Sequence, residues 1–233
     1  MDERIIFNQN STTRDIVVRK GDAPKIKNPV KFIIAGQITA PNAYVSKRKH
    51  LIDKDKCLVV CDKKNGTIEF IQDISDEDST VVKGGISINP ELLKFKINTE
   101  TTFNINDLIK FLRMNRIHFA DVDIHGDFIN KLANFKASVT THLEQRNDNR
   151  GNAKASIEQI AKTAMPNNFN LRMELYEGFE PVTFKVDIFL APRETAIDFW
   201  FESIELNDLL KTEKERILNE QIAFFNDYVV IDK

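Results

Sequence analysis

The sequence predicts an α+β protein with antiparallel sheets at both ends of the chain and helices packed between them. Three observations support this fold class. Runs of β-branched and aromatic residues cluster in residues 30–88, apolar residues at helical spacing fill the middle of the chain, and residues 169–201 alternate between apolar and polar side chains. This alternation predicts a β-meander, and one more helix is expected after it.

Four short strands are expected in the first half of the chain, at residues 30–35, 57–61, 67–74 and 80–88. Asn65-Gly66 predicts a hairpin with a type I′ turn, because both residues tolerate the positive φ that such a turn needs. Cys57, Val59 and Cys61 then share one strand face. We interpret the two cysteines as small buried residues.

Two helices are expected in the middle. The first is capped by Asn106, and the second spans residues 127–144 with one apolar stripe made by Phe128, Leu132, Phe135, Val139 and Leu143. Residues 147–152 contain no apolar side chain and predict a surface turn. Residues 153–163 fit both a strand and a helix, and a strand that joins the meander is preferred.

The last third alternates with a two-residue period. Phe169, Leu171, Met173 and Leu175 face a core while Tyr176 belongs to the polar side, and two further strands follow. A helix over residues 205–225 is expected to pack through Leu206, Leu209, Leu210, Ile217 and Phe224, and residues 228–231 to form a last strand.

The chain of 233 residues is divided by composition into a basic N-terminal arm (1–28), a β-rich region (29–104) and an α+β region (105–233). Residues 1–50 contain ten Lys or Arg and four Asp or Glu, a net charge of +6. Since the whole chain carries −2, the remainder carries −8. A basic lobe therefore precedes an acidic body.

The composition excludes several classes. A pI near 6.1 excludes a histone-like binder, and two cysteines are too few for a disulfide framework. No apolar run is long enough to cross a membrane, and the first residues lack the apolar stretch of a secretory signal. The protein is expected in the cytoplasm.

Most sequence motifs of catalysis and cofactor binding are absent, so neither a catalytic residue nor a cofactor is assigned. One acidic segment begins like a calcium loop and contains Asp121, Asp123, His125 and Asp127. The match fails at position twelve, where Leu132 replaces the bidentate Glu, and Val122 and Ile124 are expected to be buried. We interpret the segment as the start of a helix, with a metal site as the alternative.

Two surface features predict binding. Lys47, Arg48 and Lys49 are the expected phosphate or nucleic-acid contacts, supported by basic residues of the arm, namely Arg19, Lys20, Lys25 and Lys27. Phe189 and Trp200 lie on otherwise polar strand faces and predict an oligomer or partner patch. A homo-oligomer is therefore expected.

The order of elements in the second half resembles the YfdQ-like family of bacteriophage and prophage proteins. The resemblance rests on residues 168–178, 184–188 and 197–203, together with the helix at residues 107–112. It implies a phage-derived setting inside an infected or lysogenic bacterium, with no activity and no functional residue to carry over.

The hypothesis preferred from these features is a non-enzymatic binding protein that acts on nucleic acid, a nucleotide signal or a host defence protein. One alternative is a virion structural or assembly protein. The other is a metal-dependent phosphoester or nucleotide enzyme that uses the segment from Asp121 to Asp127.

Overall fold

The computed structural model describes residues 31–74, 79–145, 165–193 and 197–233. The α+β class is confirmed. The elements in chain order are β1 (Phe32–Gln37), α1 (Ala40–Arg48), β2 (Leu58–Asp62), β3 (Thr67–Gln72), β4 (Thr80–Gly85), α2 (Pro90–Lys94), α3 (Ile105–Met114), α4 (Val122–Gln145), β5 (Asn168–Met173), β6 (Val182–Pro192), β7 (Ile197–Glu202), α5 (Ile204–Ala223) and β8 (Val229–Asp232).

The first sheet has five strands in the order β1-β4-β3-β2-β8. Its central pairs are antiparallel, as expected, but β1 lies parallel to β4 and β8 lies parallel to β2. The sheet is therefore mixed rather than purely antiparallel. Parallel pairing requires a long crossover, and the chain supplies one before β4 and a much longer one before β8.

The hairpin between β2 and β3 is present, but the prediction of a type I′ turn is wrong. Asp62 pairs with Thr67 and the loop has four residues. Gly66 has φ +69°, whereas Asn65 is not among the described residues with positive φ. The loop is closed by the Gly66 N–H, which donates to the Asp62 carbonyl at 2.8 Å. A four-residue loop needs only its last residue in the left-handed region.

Both middle helices begin earlier than expected. Asn104, not Asn106, caps α3, because its Oδ1 accepts the backbone N–H groups of Asn106 and Asp107, each at 3.0 Å. The next helix starts at Val122 instead of residue 127. Phe128, Leu132 and Phe135 are buried on its predicted stripe, while Val139 and Leu143 lie outside the described side chains.

The meander is confirmed as a second, antiparallel sheet in the order β5-β6-β7. Its buried alternation is the one expected, with one exception. Tyr176 is buried rather than polar-facing, because the chain bends after β5 and the Tyr176 hydroxyl donates to the Leu210 carbonyl of α5 at 2.7 Å.

The last helix and the last strand are confirmed, but a different phenylalanine packs into the core than the one predicted. Phe224, expected to pack, is 44% exposed, whereas Phe225 is fully buried. The helix ends at Ala223, so the positions beyond it no longer follow the helical stripe.

The hydrophobic core is continuous across residue 104. It includes Val59 and Phe70 of the first sheet, Leu108 of α3 and Phe199 of the second sheet. The strand β8 at the C-terminal end returns to pair with β2. The basic arm (1–28), the turn at 147–152 and the segment 153–163 lie outside the described residues.

Candidate functional site

The predicted basic contacts Lys47, Arg48 and Lys49 lie at the C-terminal end of α1 and are all exposed. Cations at this end of a helix are favoured by its dipole, which is a purely structural reason for their presence. The Arg48 guanidinium also lies 5.2 Å from the centre of the Tyr44 ring. The Tyr44 hydroxyl in turn donates to Gln72 Oε1 at 2.9 Å, so the ring beneath Arg48 is held by β3.

None of the ion pairs within the described part of the chain includes Lys47, Arg48 or Lys49. Nearby Lys54 differs, because its Nζ donates to Asp227 at 2.7 Å. This hydrogen bond raises the pKa of Lys54 and lowers that of Asp227. Lys47 and Arg48 thus have no ion pair with a described acidic residue, whereas the charge of Lys49 contributes to the lowered pKa of Asp227.

A second basic cluster, the lysine groove, was not predicted. It is a hollow of about 400 Å³ between the β2–β3 loop and α5, lined by Lys63, Lys64, Lys211, Lys214, Glu215, Leu218 and Asn219. Four lysine side chains therefore line one concave surface, and Glu215 is the one acidic residue among its lining residues. Lys63 pairs with Asp232 at 2.8 Å, which raises the pKa of Lys63. Neither Lys64 nor Lys211 has an ion pair with another described residue.

Lys214 passes close to Gly66 in the groove. The Lys214 Nζ donates to the Lys64 carbonyl at 2.6 Å. A Cβ on Gly66 would lie 2.9 Å from Lys214 Cε, and the φ of +69° already disfavours any other residue there. The loop thus leaves room for the stem of Lys214, whose ammonium group is hydrogen-bonded to the Lys64 carbonyl.

The helices that carry the two basic clusters, α1 with Lys47, Arg48 and Lys49 and α5 with part of the lysine groove, pack on the same face of the first sheet. Tyr44 of α1 and Phe225, just beyond α5, both contact the Phe70 ring, with centroids 6.1 and 6.0 Å away. Asn42 of α1 donates to Gln221 Oε1 of α5 at 2.7 Å. The two helices that carry the clusters are therefore in direct contact.

The segment from Asp121 to Asp127 forms the start of α4. The Asp121 Oδ1 accepts the N–H groups of Asp123 and Ile124, at 2.8 and 3.2 Å. His125 is buried, with its Nε2 3.1 Å from the Leu112 carbonyl. The expected burial of Val122 and Ile124 is wrong, because they are 45% and 54% exposed on the solvent side of the helix.

Asp123, His125 and Asp127 line a shallow hollow that also contains Arg116. Within the described ranges, no three His, Cys, Asp or Glu side chains are placed to hold one metal ion. Cys57 and Cys61 are buried, as expected, and burial raises the pKa of both thiols.

Phe189 and Trp200 are brought together as directly paired residues of β6 and β7. Their rings stack with centroids 5.8 Å apart, and Phe189 remains 43% exposed. The Trp200 Nε1–H donates to Glu202 Oε1 at 2.7 Å. The expected aromatic patch therefore exists as a surface feature, and its partner stays a prediction.

The edges of the second sheet are less open than a meander alone implies. Phe103 exchanges two backbone hydrogen bonds with Phe199 of β7, at 2.8 and 2.9 Å. The Ala120 N–H donates to the Asn170 carbonyl of β5 at 3.0 Å. Preceding segments of the same chain thus occupy part of both edges.

Sequence reasoning missed the lysine groove because its lysines are far apart along the chain. Lys63 and Lys64 follow β2, whereas Lys211 and Lys214 lie one helical turn apart on α5. The spacing of Lys211 and Lys214 was a visible signal, but nothing local indicated that the hairpin loop would meet them. Arg19, Lys20, Lys25 and Lys27 lie outside the described residues.

No protein family, curated protein or solved structure compared with the chain matches it. The resemblance to the YfdQ-like family therefore stays a prediction. Among the described helices, none is sufficiently long and apolar to cross a membrane.

Proposed function

We propose that this chain is a non-enzymatic binding protein that recognises the phosphates of nucleic acid. The observation that carries the proposal is the lysine groove, where four lysines converge on one hollow of about 400 Å³. Lysine ammonium groups bind phosphate as point charges, and each neutralised phosphate releases condensed counterions.

A polymer suits the surface better than a single phosphate. The exposed cations of Lys47, Arg48 and Lys49 form a second cluster on a helix that contacts α5. Phosphates repeated along a nucleic-acid strand can engage both clusters at once. The Tyr44–Arg48 pair adds a planar cation of the kind that also stacks on bases.

The biological setting follows only from the resemblance to the YfdQ-like family. A protein that acts in the cytoplasm of an infected or lysogenic bacterium is part of the proposal. The virion-protein and metal-enzyme alternatives, and a host protein as partner, stay predictions.

The test is a fluorescence-anisotropy titration of the full chain with single-stranded DNA, duplex DNA, RNA and a nucleoside triphosphate over a salt series. We expect affinity for the polymers to fall with salt at a log-log slope of about −0.7 per phosphate contact on single strands and about −0.9 on duplex DNA. Two variants locate the contacts, Lys64→Gln/Lys211→Gln in the groove and Lys47→Gln/Arg48→Gln/Lys49→Gln on α1. Each should weaken binding and reduce the slope by roughly one unit per removed contact.

Lys110→Gln/Arg113→Gln is the matched control, because it removes two exposed cations from α3. It should leave affinity and slope unchanged. Loss of binding in the control alone would place the surface on α3 instead. Binding of the triphosphate without the polymers would indicate a nucleotide ligand, and no binding by any probe at about 50 mM salt would refute the proposal.

A further inference from the structure

The loop between β2 and β3 contains the one asparagine of the chain that is followed by glycine, Asn65-Gly66. In such a pair the backbone nitrogen of the glycine can attack the side-chain Cγ of the asparagine, because a residue without Cβ leaves the approach open. Asn65 is exposed, so water reaches the product of the attack. The pair is therefore a candidate site of covalent modification.

The reaction exchanges a side-chain amide for a carboxylate. The Gly66 N–H loses its proton to solvent, its nitrogen forms a bond to Asn65 Cγ, and the bond from Cγ to Nδ2 breaks, so that ammonia leaves with a proton returned by solvent. Water then opens the resulting succinimide ring at either carbonyl. One opening gives aspartate, and the other gives isoaspartate, in which the main chain runs through the side-chain carbon. In net terms water is taken up and ammonia is released, without an oxidant or a reductant.

The groups that must react are all hydrogen-bonded to Asp62. Its Oδ1 accepts the Asn65 backbone N–H and its Oδ2 accepts the Asn65 Nδ2, each at 2.8 Å. The Gly66 N–H donates to the Asp62 carbonyl, also at 2.8 Å. The hydrogen bonds from the Asn65 backbone and side chain lower the pKa of Asp62, which keeps this acceptor charged at neutral pH. The closed loop therefore opposes the attack.

We infer that Asn65 is a deamidation site that Asp62 protects, so that the reaction proceeds only from a locally opened loop. Its rate then follows the population of the open form. Loss of a hydrogen bond to a charged group raises that population roughly tenfold. Gly66 is itself required, because its φ is +69° and a Cβ would lie 2.9 Å from Lys214 Cε. The loop thus retains a reactive pair and restrains it through a neighbouring side chain.

Deamidation changes the wall of the lysine groove, and this consequence rests on the proposed function. A carboxylate at position 65 faces that of Asp62 and loses the hydrogen bond between the two side chains. Isoaspartate also lengthens the main chain before Gly66, whose N–H then no longer meets the Asp62 carbonyl. The loop that lines the groove through Lys63 and Lys64 gains a negative charge. We therefore expect a lower affinity for phosphates.

Peptide mapping of the full chain by mass spectrometry, over a time course at mildly alkaline pH, tests the inference. Asn65 should convert at least roughly tenfold more slowly in the folded chain than in the chain unfolded by urea. Asp62→Ala should raise the rate in the folded chain roughly tenfold. Asp62→Asn keeps the shape of the side chain but loses its charge, and it should also raise the rate, so the test holds if the alanine variant fails to fold.

Asp232→Ala is the matched control, because Asp232 contacts the same loop through Lys63, at 2.8 Å, rather than through Asn65. It should leave the rate unchanged, and thermal melting shows that each variant is folded. Equal rates in the folded and the unfolded chain would overturn the inference. Folded Asp62 variants that convert no faster than the native chain, or a control that converts as fast as they do, would overturn it as well.

The effect on the groove is measured separately. Asn65→Asp, which has the sequence of the aspartate product, should bind nucleic acid more weakly than the native chain in the anisotropy titration. Equal affinity would overturn the predicted effect on the groove. Failure of the native chain to bind any probe would instead refute the proposed function, and the deamidation rates would still decide whether Asp62 protects Asn65.

Discussion

The Asp121 carboxylate accepts two backbone N–H groups at the start of α4, from Asp123 at 2.8 Å and Ile124 at 3.2 Å. The first N–H groups of a helix have no partner within the helix, so this side chain satisfies part of that deficit. A residue whose spacing resembles a metal loop thus has a structural role that needs no metal. Asp123, two positions later, lies in the first turn, where a negative charge is favoured by the helix dipole.

Replacing Asp121 with Ala should lower the free energy of unfolding by about 1 kcal/mol, because an N-cap is lost. Asp123→Ala is the matched control and should cost less than about 0.5 kcal/mol, since only a screened dipole interaction is removed. Urea denaturation followed by circular dichroism measures both values.

The metal alternative makes a different prediction for the same variants. Under it, calcium, magnesium, manganese or zinc would raise the melting temperature of the native chain, and Asp123→Ala would abolish the rise. We expect no metal-dependent shift in either protein. Isothermal titration with the four ions gives an independent check.

At the scale of the element, the end of α5 decides which of two adjacent phenylalanines enters the core. The Phe225 N–H donates to the Ile222 carbonyl at 2.8 Å, and the Tyr228 N–H donates to the Phe225 carbonyl at 2.9 Å. This turn directs Phe225 onto Phe70 of β3 and leads the chain into β8. The helix end therefore fixes both the packing residue and the direction of the last strand.

Phe225→Ala should reduce the free energy of unfolding by about 3 to 5 kcal/mol, because a fully buried ring is replaced by a cavity. Phe224→Ala is the matched control at the neighbouring position, where the ring is 44% exposed, and should cost less than about 1 kcal/mol. Chemical denaturation of the two variants compares them directly. Equal losses would contradict the described packing.

At the scale of the whole molecule, the two sheets share one core. The core residues run from Val59 and Cys61 of the first sheet to Phe199 and Phe201 of the second, and β8 ties the end of the chain to β2. An element at the C-terminus therefore cannot unfold without exposing the first sheet. The composition of the sequence predicted a division of the chain at residue 104. The core shows no such division, because residues from both sides of residue 104 pack together in it.

The cooperative unfolding of the two sheets can be tested with side chains that the protein already contains. Trp200 is the only tryptophan and lies in the second sheet, while Cys57 and Cys61 are the only cysteines and lie buried on the first. Tryptophan fluorescence and thiol labelling in increasing urea should give coincident midpoints, as two-state unfolding requires. Separate midpoints would show that the sheets unfold independently.

The thiol measurement must be made at constant pH. Burial raises the pKa of both cysteines, so the folded state keeps its thiols protonated where the unfolded state has begun to lose them. The unfolded state then binds fewer protons, and the contribution to stability falls as pH rises above the ordinary thiol range of about 8.5. Labelling near neutral pH avoids this change.

Local features of the sequence determined the element types. The alternation of Phe169, Leu171 and Met173 predicted a strand with one buried face, and that face is buried. The spacing of Phe128, Leu132 and Phe135 predicted a helical stripe, which α4 shows. These patterns succeed because strand and helix periods are set within a few residues, by backbone geometry that each segment carries with it.

Only the tertiary structure decided which strands are neighbours and which surfaces result. The parallel pairing of β8 with β2 joins residues about 170 positions apart, as does the hydrogen bond of Lys63 to Asp232, with a separation of 169. The lysine groove depends on Lys214 reaching the Lys64 carbonyl across 150 residues. Such contacts depend on how whole elements pack against one another, and the local periodicity of a segment does not indicate which other segment it packs against.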